Sequence, residues 1–277
     1  GSSLVGSEMC IRDRASARET AVRVAAGSLA KQLLAQFGIQ AVGYVAELGG
    51  QPIAPVEANI EEMRQRRDQS QIYSLRPEDD PKFIELIDQT ATDGDTLGGV
   101  LEVRVEGIPF GFGTHAQWDR KLDGRLAQAV MAVQAIKGVE LGLGFEAARR
   151  PGSKVHDPIQ FDESDREGPD LGFHRPSNHA GGLEAGMTNG QPLIVRAAKK
   201  PIATLRKPLE SIDLDTKAPH TANYERSDVC AVSAASIIIE CVVAFEVACA
   251  VVDKLGGDSL AEMQARMELF REMALKR

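Results

Sequence analysis

The run VCAVSAASIIIECVVAFEVACAVVDKL, residues 229–255, decides how the rest of this chain is read. It is the longest apolar stretch in the sequence. A helix that crosses a bilayer needs about 20 apolar residues in succession. Here Ser233, Ser236, Glu240 and Glu246 interrupt the run, and most of its bulk is Ala and Val. A carboxylate is costly in hydrocarbon, but a protein core can pair it. The stretch therefore reads as a central buried helix rather than a membrane span, and the other elements are expected to pack around it.

Working outward from that helix, the pattern alternates irregularly between helix and strand. Residues 16–19, Ser-Ala-Arg-Glu, have the form of a capping box and open a helix running to about Gln36, with Gly38 ending it. Residues 39–48 read as an alternating strand. Residues 60–67 and 81–91 read as helices, and residues 92–99, TDGDTLGG, as a tight turn. A strand follows in which Leu101, Val103 and Val105 separate Val100, Glu102, Arg104 and Glu106. Residues 119–137 predict a helix with Leu122, Leu126, Val130, Val133 and Ile136 on one face, and residues 139–145 a strand. Residues 149–176 read as a polar surface insertion, 192–198 as a strand, 211–222 as an exposed strand or loop, and 259–276 as a final amphipathic helix. No GxGxxG follows a strand, and no GxxxxGK[ST] occurs. The class is α+β, with antiparallel sheets packed on helices.

Composition bounds the function. The 277 residues fit one large domain or two smaller ones. Hydrophobic residues make up 43% and aromatics only 5%, so the core is built from Val, Ile, Leu and Ala. A net charge of −8 and a pI near 5.3 argue against a nucleic-acid partner, which needs a basic face. Cys10, Cys230, Cys241 and Cys249 form no CxxC pair and read as free thiols in a reducing cytosol. The five histidines are scattered without metal-ligand spacing, so no metal is expected. Residues 1–13 lack periodicity and an apolar signal region, and read as a leader of non-native character ahead of one domain over residues 14–277.

The chemistry is concentrated elsewhere. Gly181, Gly182, Gly186 and Gly190 precede a short apolar run and then Lys199, Lys200, Pro201 and Thr204. Glycines let backbone N–H groups approach a flat ligand, and the lysines and hydroxyl suit an anion. Arg226, Ser227 and Asp228 stand at the mouth of the long helix, whose N-terminus favours negative charge. Asp228 has two readings, a plain helix N-cap or a functional carboxylate. Arg226 is either a surface partner of an adjacent acid or an anion fork. Arg14 and Arg18 add positive charge at the start of a helix, an arrangement that calls for an anion.

Residues 14–27 (RASARETAVRVAAG), 92–105 (TDGDTLGGVLEVRV), 134–145 (QAIKGVELGLGF), 178–205 (NHAGGLEAGMTNGQPLIVRAAKKPIATL) and 225–235 (ERSDVCAVSAA) resemble successive blocks of chorismate synthase. They come in the family's order and together cover nearly the whole chain. The resemblance implies a β-α-β sandwich with helices packed between antiparallel sheets, incomplete at its N-terminal side. It also implies a lyase that removes phosphate from 5-enolpyruvylshikimate 3-phosphate to give chorismate, the last common step of the shikimate pathway. Reduced FMN is the implied cofactor, with NADP as an associated nucleotide and a cytoplasmic homotetramer as the implied assembly. Carried over by position, Arg14, Ala15 and Ser16 are expected flavin contacts. So are Gln134 and Ala135, then Ala185, then Lys200, Pro201, Ile202, Ala203 and Thr204, and Arg226. Asp228 matches the carboxylate placed near the flavin N5. None of His115, His156, His174, His179 and His220 matches the family's acid–base histidines, so this chain on its own is expected to have little or no lyase activity. The rival expectations are a non-catalytic flavin-binding or oligomerisation fragment, and another flavin- or phosphosugar-binding enzyme.

Overall fold

The computed structural model describes residues 18–168, 170–207, 209–213, 215–221 and 228–276. The order begins α1 (Glu19–Ala35), β1 (Gln40–Leu48), β2 (Gln51–Pro52), α2 (Ile60–Gln69), α3 (Asp80–Thr92) and β3 (Gly99–Glu106). It continues with α4 (Leu122–Met131), β4 (Ile136–Leu141), β5 (Gln160–Phe161), β6 (Phe173–His174), β7 (Leu183–Glu184), β8 (Met187–Thr188) and β9 (Leu193–Lys199). It ends with β10 (Glu210–Ile212), β11 (Pro219–Thr221), α5 (Val232–Leu255) and α6 (Leu260–Leu275). The expected α+β class of helices and antiparallel sheets is what the chain forms. The five-stranded sheet has the order β2-β1-β3-β9-β4, and every pairing in it is antiparallel.

The period-2 pattern of β3 sends Leu101, Val103 and Val105 to one face, where all three are fully buried. On β9, Leu193, Val195 and Ala197 share that face. The covering element is α5. It is long and apolar enough to cross a membrane by length and composition, yet Val232, Ile239, Val243, Val247 and Val251 are fully buried within the protein. It is the core helix expected from the sequence. Two glycines allow the close approach. A methyl group on Gly43 of β1 would fall 2.5 Å from the Ser236 carbonyl oxygen, and one on Gly27 of α1 would fall 2.6 Å from the Cys241 Cα.

Glu240 of α5 is 1% exposed and holds three elements together. It accepts from the Gly43 N–H of β1 at 2.8 Å and from Arg67 Nη1 of α2 at 2.6 Å, and it pairs with Lys31 of α1. A buried carboxylate is tolerable only when satisfied in this way. On the opposite face of the sheet α2 packs Ile60 and Met63 against Val42, Tyr44 and Leu75. β1 is thus covered on both faces, which is why residues 41–45 are all buried instead of alternating.

Several boundaries differ from the sequence reading. The helix expected over residues 119–137 ends at Met131, because Ala135 turns left-handed at φ 67° and starts β4 at Ile136. Ile136 is buried as a strand residue, not as a helix-face residue. The strand expected at 139–145 accordingly lies at 136–141, and a short 3-10 turn occupies Gly144–Arg149. The polar insertion contains the β5–β6 pair, and it buries Asp170 and Leu171. The Ser16 half of the capping box lies outside the described residues. α6 is capped by Ser259, whose hydroxyl accepts from the Glu262 N–H. The side of α1 and α5 turned away from the sheet leaves Val22, Leu29, Phe245 and Val252 exposed.

Candidate functional site

The antiparallel order brings three chain segments to one end of the sheet. Lys199, the last residue of β9, pairs with Gly99 at the start of β3 and with Ile136 at the start of β4. The next backbone N–H, that of Lys200, donates to the Ala135 carbonyl at 2.9 Å. The loop after β9 is then strapped to the turn before β3. The Thr96 hydroxyl donates to the Ile202 carbonyl at 2.7 Å, and a methyl group on Gly98 would fall 2.9 Å from Pro201 Cδ. The same turn holds the lead-in to α5, since the Leu97 N–H donates to the Val229 carbonyl at 2.9 Å. Gln134 Nε2 donates to Glu19 Oε2 at 2.7 Å, which ties in the start of α1. That hydrogen bond, with one from Arg23, holds the Glu19 carboxyl below its ordinary range.

Gln134, Ala135, Lys200, Pro201, Ile202, Ala203, Thr204 and Asp228 therefore belong to one neighbourhood, although residues 134, 200 and 228 are far apart in sequence. Arg14, Ala15, Ser16 and Arg226 lie outside the described residues. Ala185 does not join the others within one chain. It sits in the β7–β8 hairpin, where the Gly186 carbonyl accepts from Leu122 at the start of α4. The length of β9, about 20 Å for seven residues, separates it from Lys200. A cavity of about 630 Å³ opens beside Ala185, walled by Phe110, Leu171, Phe173, Met187 and Phe270. Ala135 and Ala185 both have a positive φ, at 67° and 53°. Non-glycine residues rarely adopt that conformation, and Tyr73, Leu171 and Lys217 share it here.

The plain N-cap reading of Asp228 fails. α5 begins at Val232, its cap position is Ala231, and no side chain caps it. Asp228 is exposed three residues before the cap. Of two further groups at this end, Cys230 had no site role in the sequence reading, and Lys199 was named there only beside Lys200 as a lysine that suits an anion. Cys230 has its thiol pushed up by burial, against a smaller opposite pull from Lys199. Lys199 is half-buried, and burial holds its ammonium below the usual lysine range. The signal for Lys199 was present in β9, where Leu193, Val195, Ala197 and Lys199 occupy alternate positions and a lysine continues the buried face.

The glycine-rich segment is ordered from outside itself. Gly181, Gly182, Gly186 and Gly190 all have positive φ, so they serve as turn residues. The Asp157 side chain is 0% exposed and accepts from the Ser177 hydroxyl and from the backbone N–H groups of His179 and Ala180. Burial pushes its carboxyl up, but these hydrogen bonds outweigh burial and leave it below 3.8. A lowered carboxyl stabilises the fold fully above its ordinary value and ceases to do so as pH falls through the lower folded value. Asp157→Ala is thus expected to loosen residues 177–182 at neutral pH, read as faster amide exchange there. The wild type should show the same loosening only below pH 3.8. Equal exchange in both proteins at neutral pH would refute the role.

The sequence profile of the chorismate synthase family matches residues 6–252. The chain belongs to the chorismate synthase family. It is 51% identical over 263 residues to a chorismate synthase of Geobacter sulfurreducens, covering 95% of this chain and 67% of that protein. It is 54% identical over 255 residues to one of Geobacter metallireducens, covering 92% of this chain and 65% of that protein. A solved structure described as chorismate synthase superposes with a TM-score of 0.80 at 40% identity, covering 95% of this chain and 71% of the other. The chain thus spans about two thirds of the length of the curated relatives it matches.

Proposed function

We propose that the lysine end of the sheet is the flavin side of a chorismate synthase site. The reaction is the loss of phosphate and a ring proton from 5-enolpyruvylshikimate 3-phosphate. One observation carries the reading: segments at residues 134–135, 200–204 and 228, each matched separately to the family, meet at one end of one sheet. The donor set suits a flavin nucleotide, with the Lys200 ammonium, the Thr204 hydroxyl and the Gln134 amide beside a left-handed Ala135. When bound, reduced FMN supplies an electron-rich ring next to the substrate. The exposed Asp228 carboxylate is free of a capping role and is the group that would hold the abstracted proton. The N-terminus of α5 lies at this end of the sheet and would favour a departing dianion there. Ala185 reaches such a site only from a second copy, which fits a homotetramer. With three free cysteines among the described residues, a cytoplasmic setting is the consistent one.

Flavin titration followed by fluorescence tests the reading. Wild-type chain is expected to bind FMN. Arg226→Ala and Lys200→Ala are each expected to weaken binding by about tenfold, as the loss of one charge-assisted contact does. FMN affinity unchanged in both variants would overturn the assignment. Phosphate release from 5-enolpyruvylshikimate 3-phosphate with reduced FMN separates a lyase from a chain that holds the flavin without reacting.

A further inference from the structure

The inference concerns Lys199, which no residue match to the family singles out, and it rests on the flavin reading above. β9 places its side chain on the helix-facing side of the sheet, in line with Leu193, Val195 and Ala197. Its two cross-strand neighbours are Gly99, which has no side chain, and the buried Ile136. The half-buried ammonium lies close enough to Cys230 to interact with its thiol, and Val232 of α5 stands 3.1 Å from where a methyl group on the neighbouring Gly99 would fall.

This is a poor place for an unbalanced cation. The start of a helix carries partial positive charge. Lys200 adds a second ammonium that opposes the charge on Lys199. Among the described residues no carboxylate pairs with Lys199. A surface lysine avoids such a position by reaching into water, but a lysine on the buried face of a strand has less freedom to do so. The arrangement is balanced when an anion occupies the same end of the sheet.

We infer that Lys199 is a flavin-binding residue whose ammonium is the counter-charge to an anionic group of the bound flavin nucleotide, either its phosphate or its reduced ring. Lys200, the first residue of the loop after β9, carries the family match, and Lys199 closes the strand beside it.

The test uses the chain as it exists, with Lys199→Met and Lys199→Arg. Without ligand, Lys199→Met is expected to melt at or above the wild-type temperature, because it removes an uncompensated charge and keeps the apolar stem. With FMN, Lys199→Met is expected to bind about tenfold more weakly, while Lys199→Arg stays within about threefold of wild type. Riboflavin tells the two anionic groups apart. A loss confined to FMN assigns the phosphate, and an equal loss for reduced riboflavin assigns the ring. FMN affinity unchanged in Lys199→Met, or a clear drop in its ligand-free melting temperature, would overturn the inference. If wild type bound no flavin, the functional reading itself would fall, and a raised ligand-free melting temperature of Lys199→Met would still record the charge imbalance.

Discussion

Glu240→Ala is expected to cost this protein about 3–5 kcal/mol, the range seen when one partner of a buried ion pair is removed. The carboxylate is 1% exposed, and Arg67 beside it is 7% exposed. Removing the acid leaves the Gly43 N–H without its acceptor, leaves the buried Arg67 guanidinium with Asp68 alone, and takes away the partner of Lys31. The desolvation cost of those groups was met by Glu240, so most of the effect is a penalty on what stays behind. Glu240→Gln keeps an acceptor for Gly43 and is expected to fall between. A double change, Glu240→Leu with Arg67→Met, removes both charges and should recover much of the loss. Equilibrium urea unfolding measures all three. An unchanged midpoint in Glu240→Ala would show that the network contributes nothing.

The second large effect is steric. Gly27→Ala places a methyl group 2.6 Å from the Cys241 Cα, so backbone, not a movable side chain, stands in the way. α1 must shift away from α5, and both helices carry fully packed residues such as Leu34 and Val243. Overpacking typically costs about 1–3 kcal/mol, and a clash with main chain belongs at or above the top of that range. Gly27→Val should prevent folding at 37 °C. The same chemical unfolding series tests this, and a Gly27→Ala protein as stable as wild type would mean that the two helices are not in close contact.

The apolar core was legible because its pattern was redundant. The interrupted run at 229–255 identified α5, and the alternation in 100–106 identified β3. The register of β9 and the break between α4 and β4 were not legible. Leu122, Leu126, Val130, Val133 and Ile136 continue a helical spacing across a point where the backbone reverses, and a left-handed alanine leaves no mark in composition. At the site, the matches found Gln134, Ala135 and residues 200–204 together. Of the two readings open for Asp228, the cap falls away because α5 starts at Val232, later than the apolar run suggested. Within one chain the glycines and the lysines do not meet. They adjoin in sequence, but β9 runs between them and carries them to opposite ends of the sheet.

β9 is clasped between β3 and β4, and this has a bearing on how such proteins diverge. Residues 142–192 leave the sheet after β4 and return to it at the start of β9. Both junctions lie away from the lysines, and the returning strand is aligned by neighbours on either side. Insertions and deletions in that excursion can accumulate over generations while the arrangement around Ala135 and Lys200 stays in register. Natural drift in length has a tolerant place to collect there, remote from the groups that selection must hold fixed.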